Sequence, residues 1–164
     1  MYKSKIKGRC NIKKMNYYLL IGIILFDQII KFLVSANMRV GETFPIIPNV
    51  FHITYVLNPG AAFGILENAR IFFIIATFLV VAIGFYIIPK LNRQNKLARF
   101  GSIFLLAGAV GNLIDRIRNG LVVDFMDFRI WPVFNIADIA ICLGTFFIVY
   151  SVITTKEEPL NVRI

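Results

Sequence analysis

The chain has 164 residues, of which 58% are apolar, 14% aromatic and only 16% charged, and its formal net charge is +9. That balance excludes an ordinary soluble domain, where about a quarter of residues are charged. Two cysteines and one histidine leave too little for a disulfide framework, a zinc site or Ser-His chemistry, so neither a metal nor a cofactor is expected.

A bilayer core of about 30 Å needs roughly 20 apolar helical residues. Four stretches approach that length, at about 17–36, 71–88, 97–114 and 134–153. The first resembles a secretory signal in having a basic segment before it, 1–16, with Lys3, Lys5, Lys7, Arg9, Lys13 and Lys14. Its apolar run is span-length, however, is interrupted by Asp27 and Lys31, and lacks a small-residue cleavage pattern before Asn37, so it reads as a retained helix. Met15 is an alternative start that would make 1–14 an extension.

Lysine and arginine are retained on the cytoplasmic side of short loops. Segment 1–16 and the link bearing Lys90, Arg93, Lys96 and Arg99 are therefore expected inside, and four spans return the C-terminus to the same side. These basic residues flank spans instead of lining one face among aromatics, which argues against nucleic acid as a partner. The expected fold is an all-α polytopic membrane protein of one domain, with four transmembrane helices and both termini cytoplasmic.

Segment 37–70 falls outside. Pro45 and Pro48, the β-prone run 50–57 and the Asn58-Pro59-Gly60 turn predict a small extracytoplasmic β platform resting on the membrane lipid. His52 is expected at a surface or interface, and Cys142 packed within the fourth span.

Ionisable groups at membrane depth are expensive and mark sites of chemistry or transport. Three clusters gather at the outer edges of the last two spans: Asn112-Leu-Ile-Asp115-Arg116, Val122-Val123-Asp124-Phe125 and Phe134-Asn135-Ile-Ala137-Asp138. The third span should present Asn112, Asp115 and Arg116 in its last turn, with Asp115 near the negative end of the helix dipole and in need of a partner. Asn135 and Asp138 have the spacing of a helix N-cap and its reciprocal acid, which capping alone would explain. Asp27, Gln28 and Lys31 lie inside the first span, with Asp27 and Lys31 four residues apart on one face; they form a neutralising pair, or else support the acids from beneath or bind a polar substrate group.

Two carboxylates close together in a low-dielectric site share one proton and so supply an acid and a base together, the requirement for hydrolysing a peptide through activated water. Spacing does not decide which pair among Asp27, Asp115, Asp124, Asp127 and Asp138 is close. The alternative function is a small proton- or cation-coupled carrier using buried carboxylates, although no internal repeat of the kind carriers show is present.

The ordered set Phe26-Asp27-Gln28-Ile-Ile-Lys31, Asn58-Pro-Gly60-Ala61-Ala62-Phe63-Gly64, Gly108-Ala-Val-Gly111-Asn112-Leu-Ile-Asp115-Arg116, Val122-Val123-Asp124-Phe125 and Phe134-Asn135-Ile-Ala137-Asp138 resembles bacterial lipoprotein signal peptidase, or signal peptidase II. The resemblance implies four helices with a small outer β-cradle, in the bacterial cytoplasmic membrane. It implies an aspartic endopeptidase that removes the signal peptide from diacylglyceryl-modified prolipoproteins before the lipidated cysteine, and that globomycin-type inhibitors bind. By motif, its catalytic dyad falls on Asp124 and Asp138. Its supporting and substrate-binding positions fall on Asp27, Lys31, Asn58, Gly60, Asn112, Asp115, Arg116, Asn135 and Ala137. The link between Asp124 and Asp138 is short for that family, which implies a trimmed outer loop.

Overall fold

The computed structural model describes residues 2–60, 70–87 and 95–154. Helix α1 (Tyr2–Asn37) leads into a hairpin of strands β1 (Thr43–Ile47) and β2 (Phe51–Asn58), followed by helices α2 (Arg70–Ile87) and α3 (Lys96–Asn119), strand β3 (Val122–Asp127) and helix α4 (Ile136–Thr154). Three helical segments are long and apolar enough to cross a membrane, Asn16–Asn37, Lys96–Asn119 and Ile136–Thr154, and the apolar part of α2, Ile71–Gly84, is shorter. Helix α1 continues unbroken from the basic segment into its span.

Helix α3 is the central post. Half of its spanning window, 50%, is buried, against 17% for α1 and 22% for α4, and it packs on all three other helices. The closest packing is with α4, because both helices present residues without bulk. A Cβ on Gly101 would lie 2.7 Å from the Gly144 carbonyl oxygen, and one on Gly108 would collide with the carbonyl of Ala137. Backbone approach through small residues is how helices gain contact in lipid, where apolar side chains have no water to escape. The remaining faces display large apolar residues such as Phe32, Phe72, Phe78 and Phe146, as a lipid solvent permits.

Asn95 caps α3 by accepting from the Ala98 N–H at 3.0 Å. Gly120 ends it in the left-handed region, at φ 80°, donating to the Arg116 carbonyl. This corrects the expected end of the third span: Asn112 and Asp115 lie inside the helix, not in its last turn, because nothing stops the helix before Gly120.

The expected β platform is a sheet of three strands in the order β1-β2-β3, all antiparallel. The hairpin was legible in sequence; the third strand, which carries Asp124, was not. Pro45 is tolerated because β1 is an edge. Val34 of α1, Tyr55, Val123 and Phe125 form the buried cluster that fastens the underside of the sheet to the helices. His52 is half-buried in β2, and both ring nitrogens are shielded without a hydrogen-bond partner among the described residues.

Candidate active site

The chain between β3 and α4 folds straight back on itself. Phe134 accepts from the N–H groups of Phe125 and Met126 at 3.0 and 2.8 Å and donates to the Met126 carbonyl at 3.1 Å. Phe128 stacks on Phe134 with ring centroids 5.9 Å apart. This return brings Asn135, the next residue, beside Asp124.

Asn135 then does two things. As the N-cap of α4 its Oδ1 accepts from the Asp138 N–H at 2.9 Å, and its own N–H donates to Asp138 Oδ2 at 3.2 Å, a reciprocal capping arrangement. Its Nδ2 donates to Asp124 Oδ1 at 2.6 Å. Capping and a link between the two acids are thus one structure, not competing explanations. Asp124 also accepts from Asn58 Nδ2 at 2.9 Å, and Asp138 Oδ1 accepts from Asn112 Nδ2 at 2.8 Å. Burial, and next the charge of Asp138, push Asp124 up to about 7 against the opposing pull of its two amide donors.

Beneath these acids lies a buried ionic cluster. Lys31 Nζ contacts Asp27 Oδ2 at 2.9 Å, Asp115 Oδ2 at 2.8 Å and Asn112 Oδ1 at 2.9 Å. Asp115 has the partner its place on α3 required, and it also accepts from the Val123 N–H at 3.3 Å, next to Asp124. Asp27 Oδ1 accepts from the N–H of Ala137 at 2.9 Å, which ties α1 to the first turn of α4. The pairing of Asp27 with Lys31 is therefore both neutralising and supporting.

Arg116 approaches from the other side. Its guanidinium donates to the Gly60 carbonyl at 3.0 Å and lies 4.6 Å from the centroid of the Phe73 ring. Gly60 is buried there, and its N–H caps back to Asn58 Oδ1 at 2.9 Å. All eleven candidate residues fall in this one region. Asp127 does not: its carboxylate accepts from Thr54 at 2.7 Å and from the Arg129 side chain at 2.9 Å, bonds that, with the Arg129 N–H, hold it below the usual carboxylate range despite burial. Residues 61–64 of the second motif lie outside the described residues.

Asp124 and Asp138 line the head of a groove of about 810 Å³. Phe73, Val80, Leu105, Ala109 and Leu143 wall it, and Trp131, Pro132 and Cys142 also line it. The cysteine is exposed instead of packed in the span, since the face of α4 turned to α3 is filled by Ala137, Ala140 and Gly144. From Asn112 to Leu105, or Phe73 to Val80, the groove follows about two helical turns, roughly 10 Å along the helices. Phe73 and the lining role of Trp131 were not singled out from sequence, whereas Gln28 was grouped there with Asp27 and Lys31, and its amide bridges Asp27 and Asp115. Phe73 sits in an unbroken apolar run that carries no signal.

An acid pair, a neutral amide shared between them and an apolar groove below can hold an extended peptide while water is activated against it. The family model for signal peptidase (SPase) II matches residues 19–154. Lipoprotein signal peptidase of Halothermothrix orenii is 48% identical over 136 residues, covering 82% of this chain and 92% of that protein, and that of Clostridioides difficile is 47% identical over 145 residues, covering 86% and 97%. A bacterial membrane enzyme solved by the in meso method at 2.3 Å superimposes with a TM-score of 0.82 at 34% identity, over 88% of this chain and 93% of that one. The chain belongs to the signal peptidase II family, multi-pass aspartic peptidases of bacterial membranes that process prolipoproteins.

Proposed function

We propose that Asp124 and Asp138 are the catalytic dyad and that the enzyme cleaves diacylglyceryl-modified prolipoproteins before the lipidated cysteine. The observation that supports this most is the double role of Asn135, which bonds Asp124 through its amide and Asp138 through its backbone at the head of an apolar groove.

In the reaction, Asp124 carries the shared proton and Asp138 is ionised. Asp138 draws a proton from a water as it attacks the scissile carbonyl carbon, and the Asp124 hydroxyl hydrogen-bonds the carbonyl oxygen. The tetrahedral intermediate collapses as the amide nitrogen takes up a proton, the C–N bond breaks, and the dyad is left with one proton again. Asn58, Asn112 and Asn135 hold the acids in register. Asp27, Lys31 and Asp115 support them from below, and Ala137 lends its N–H to that support. Arg116 fixes the Gly60 carbonyl and with it the Asn58 turn. No step uses a cofactor.

The whole chain acts as one membrane-embedded domain, with α2 as the fourth span and the N- and C-termini cytoplasmic. Lys3 to Lys14 in the first part of α1, and Lys96 and Arg99 at the start of α3, lie at the helix ends opposite the dyad, so the positive-inside rule turns the dyad and the β-cradle outward. The groove takes the lipid chains and the apolar signal segment, and globomycin-type inhibitors occupy the same space. Cleavage of a purified lipidated precursor tests the assignment: Asp124→Asn and Asp138→Asn should each abolish it, and activity near wild type in either would move the chemistry elsewhere.

A further inference from the structure

Among the described residues, the cluster below the dyad holds two carboxylates, Asp27 and Asp115, but one ammonium, Lys31. Beside the backbone N–H groups of Ala137 and Val123, which reach one acid each, the side-chain donor that reaches both is Gln28. Its amide nitrogen lies 3.2 Å from Asp27 Oδ2, 3.0 Å from Asp115 Oδ1 and 3.1 Å from the Gly111 carbonyl oxygen. These three acceptors bracket Asn112, which follows Gly111 directly and precedes Asp115 by less than one turn. Asn112 in turn donates to Asp138.

We infer that Gln28 is a positioning residue for the peptidase reaction: by donating to both carboxylates it leaves the Lys31 ammonium centred on Asn112, and so keeps the Asn112 amide aimed at Asp138. Without that donor Lys31 is the one described side chain left donating to both carboxylates, and it is drawn towards Asp27 and Asp115 and away from Asn112. Gly111 shows how closely the parts fit, since a Cβ there would stand 2.8 Å from Asp27 Oδ2 and 3.2 Å from the Ala137 Cβ. Gln28 itself does not line the groove, so it acts on the chemistry through its neighbours and not on substrate binding. A displacement of about 1 Å at a reacting group is enough to cost about a hundredfold in rate.

This inference rests on the dyad assignment, and one set of assays separates the two. Gln28→Met keeps length and removes the donor; Gln28→Glu keeps shape and becomes a donor only when protonated. The charged groups around the new carboxyl are Asp27 and Lys31 on α1 and Asp115 on α3, with Asp124 on β3 and Asp138 on α4 in the next layer. Turnover is measured on a lipidated precursor peptide from pH 5 to 8 and normalised to folded enzyme by size-exclusion chromatography. The expected result is a fall in kcat of tenfold or more with KM within twofold for Gln28→Met at every pH, and a loss for Gln28→Glu that lessens as pH falls. Wild-type kcat per folded molecule in Gln28→Met, losses confined to KM, or identical pH profiles for the two variants would overturn the inference. If Gln28→Met does not fold, the pH dependence of Gln28→Glu decides alone. Asp124→Asn and Asp138→Asn run in parallel: activity in those would sink the dyad assignment, whereas their silence with active Gln28 variants would sink only the role of Gln28.

Discussion

Lys31 donates to the Oδ1 of Asn112 at 2.9 Å, and this one bond decides which way the Asn112 amide points. With its oxygen occupied by the ammonium and by Asn135 Nδ2 at 3.2 Å, Asn112 has only its nitrogen left to offer Asp138. A charge one layer below the site therefore sets the hydrogen bonding of a proposed catalytic acid.

Lys31→Met should be the most destabilising substitution in the cluster. It leaves Asp27 and Asp115, both almost fully buried, without their cation, and removing one partner of a buried ion pair costs about 3–5 kcal/mol. Thermal unfolding in detergent should show a large loss, with turnover abolished in whatever remains folded. A melting point within a degree or two of wild type would mean that the cluster contributes little to the fold.

The pH dependence follows from Asp124. Its value of about 7 lies above the ordinary 3.8, so the native state holds the proton more tightly than the unfolded chain. For catalysis, the singly protonated pair is lost as pH rises past about 7, and kcat/KM should fall on the alkaline side with an apparent midpoint near there, a property of the coupled pair. For stability, the contribution of this group is fully present below about pH 4 and is lost as pH rises through 7. Asp124→Asn removes that dependence, so its melting point should exceed wild type by more at pH 7.5 than at pH 4.5. An activity profile flat from pH 6 to 9 would contradict the proton assignment.

Much of this site was legible in sequence because polar residues stand out against apolar spans. Asp27 and Lys31 on one helix face, and Asn135 with Asp138 at a helix start, follow from helical periodicity alone. What periodicity does not encode is how elements meet. The third strand escaped notice because Val122 to Asp127 pairs with residues some 70 positions earlier, and a run of six is too short to announce itself. Phe73 beneath Arg116 is one aromatic among sixteen phenylalanines, distinguished only by what folding places above it. The carrier reading was already disfavoured in sequence, by the missing repeat and by acids gathered at one surface; which two acids meet shows only once the return at Phe134 is seen.

Gly111→Ala should separate geometry from charge. The added methyl would stand 2.8 Å from Asp27 Oδ2, too close for the carboxylate to keep its place beside Lys31 and the Ala137 N–H. Alanine otherwise favours a helix over glycine by about 1 kcal/mol, so helix propensity alone predicts a gain in stability. We expect the opposite sign in thermal unfolding, together with reduced turnover; a stabilised and fully active variant would show that Asp27 has room to move.

Arg116→Lys tests the side of the site away from the ionic cluster. Arginine combines a bond to the Gly60 carbonyl with stacking on Phe73, and Gly60 shares the turn in which Asn58 holds Asp124. Lysine keeps the charge but loses the planar fork and the stacking surface, and its ammonium is more strongly hydrated. Turnover should therefore fall, with a lowered melting point, because the Asn58 turn is no longer fixed against α3. The dyad variants should behave differently, losing turnover with stability intact or raised, since each relieves a repulsive acid pair. The comparison of melting point with kcat across Arg116→Lys, Asp124→Asn and Asp138→Asn checks this directly. If Arg116→Lys matched wild type in both measurements, the charge alone would suffice and Arg116 would be no more than a cation near two acids.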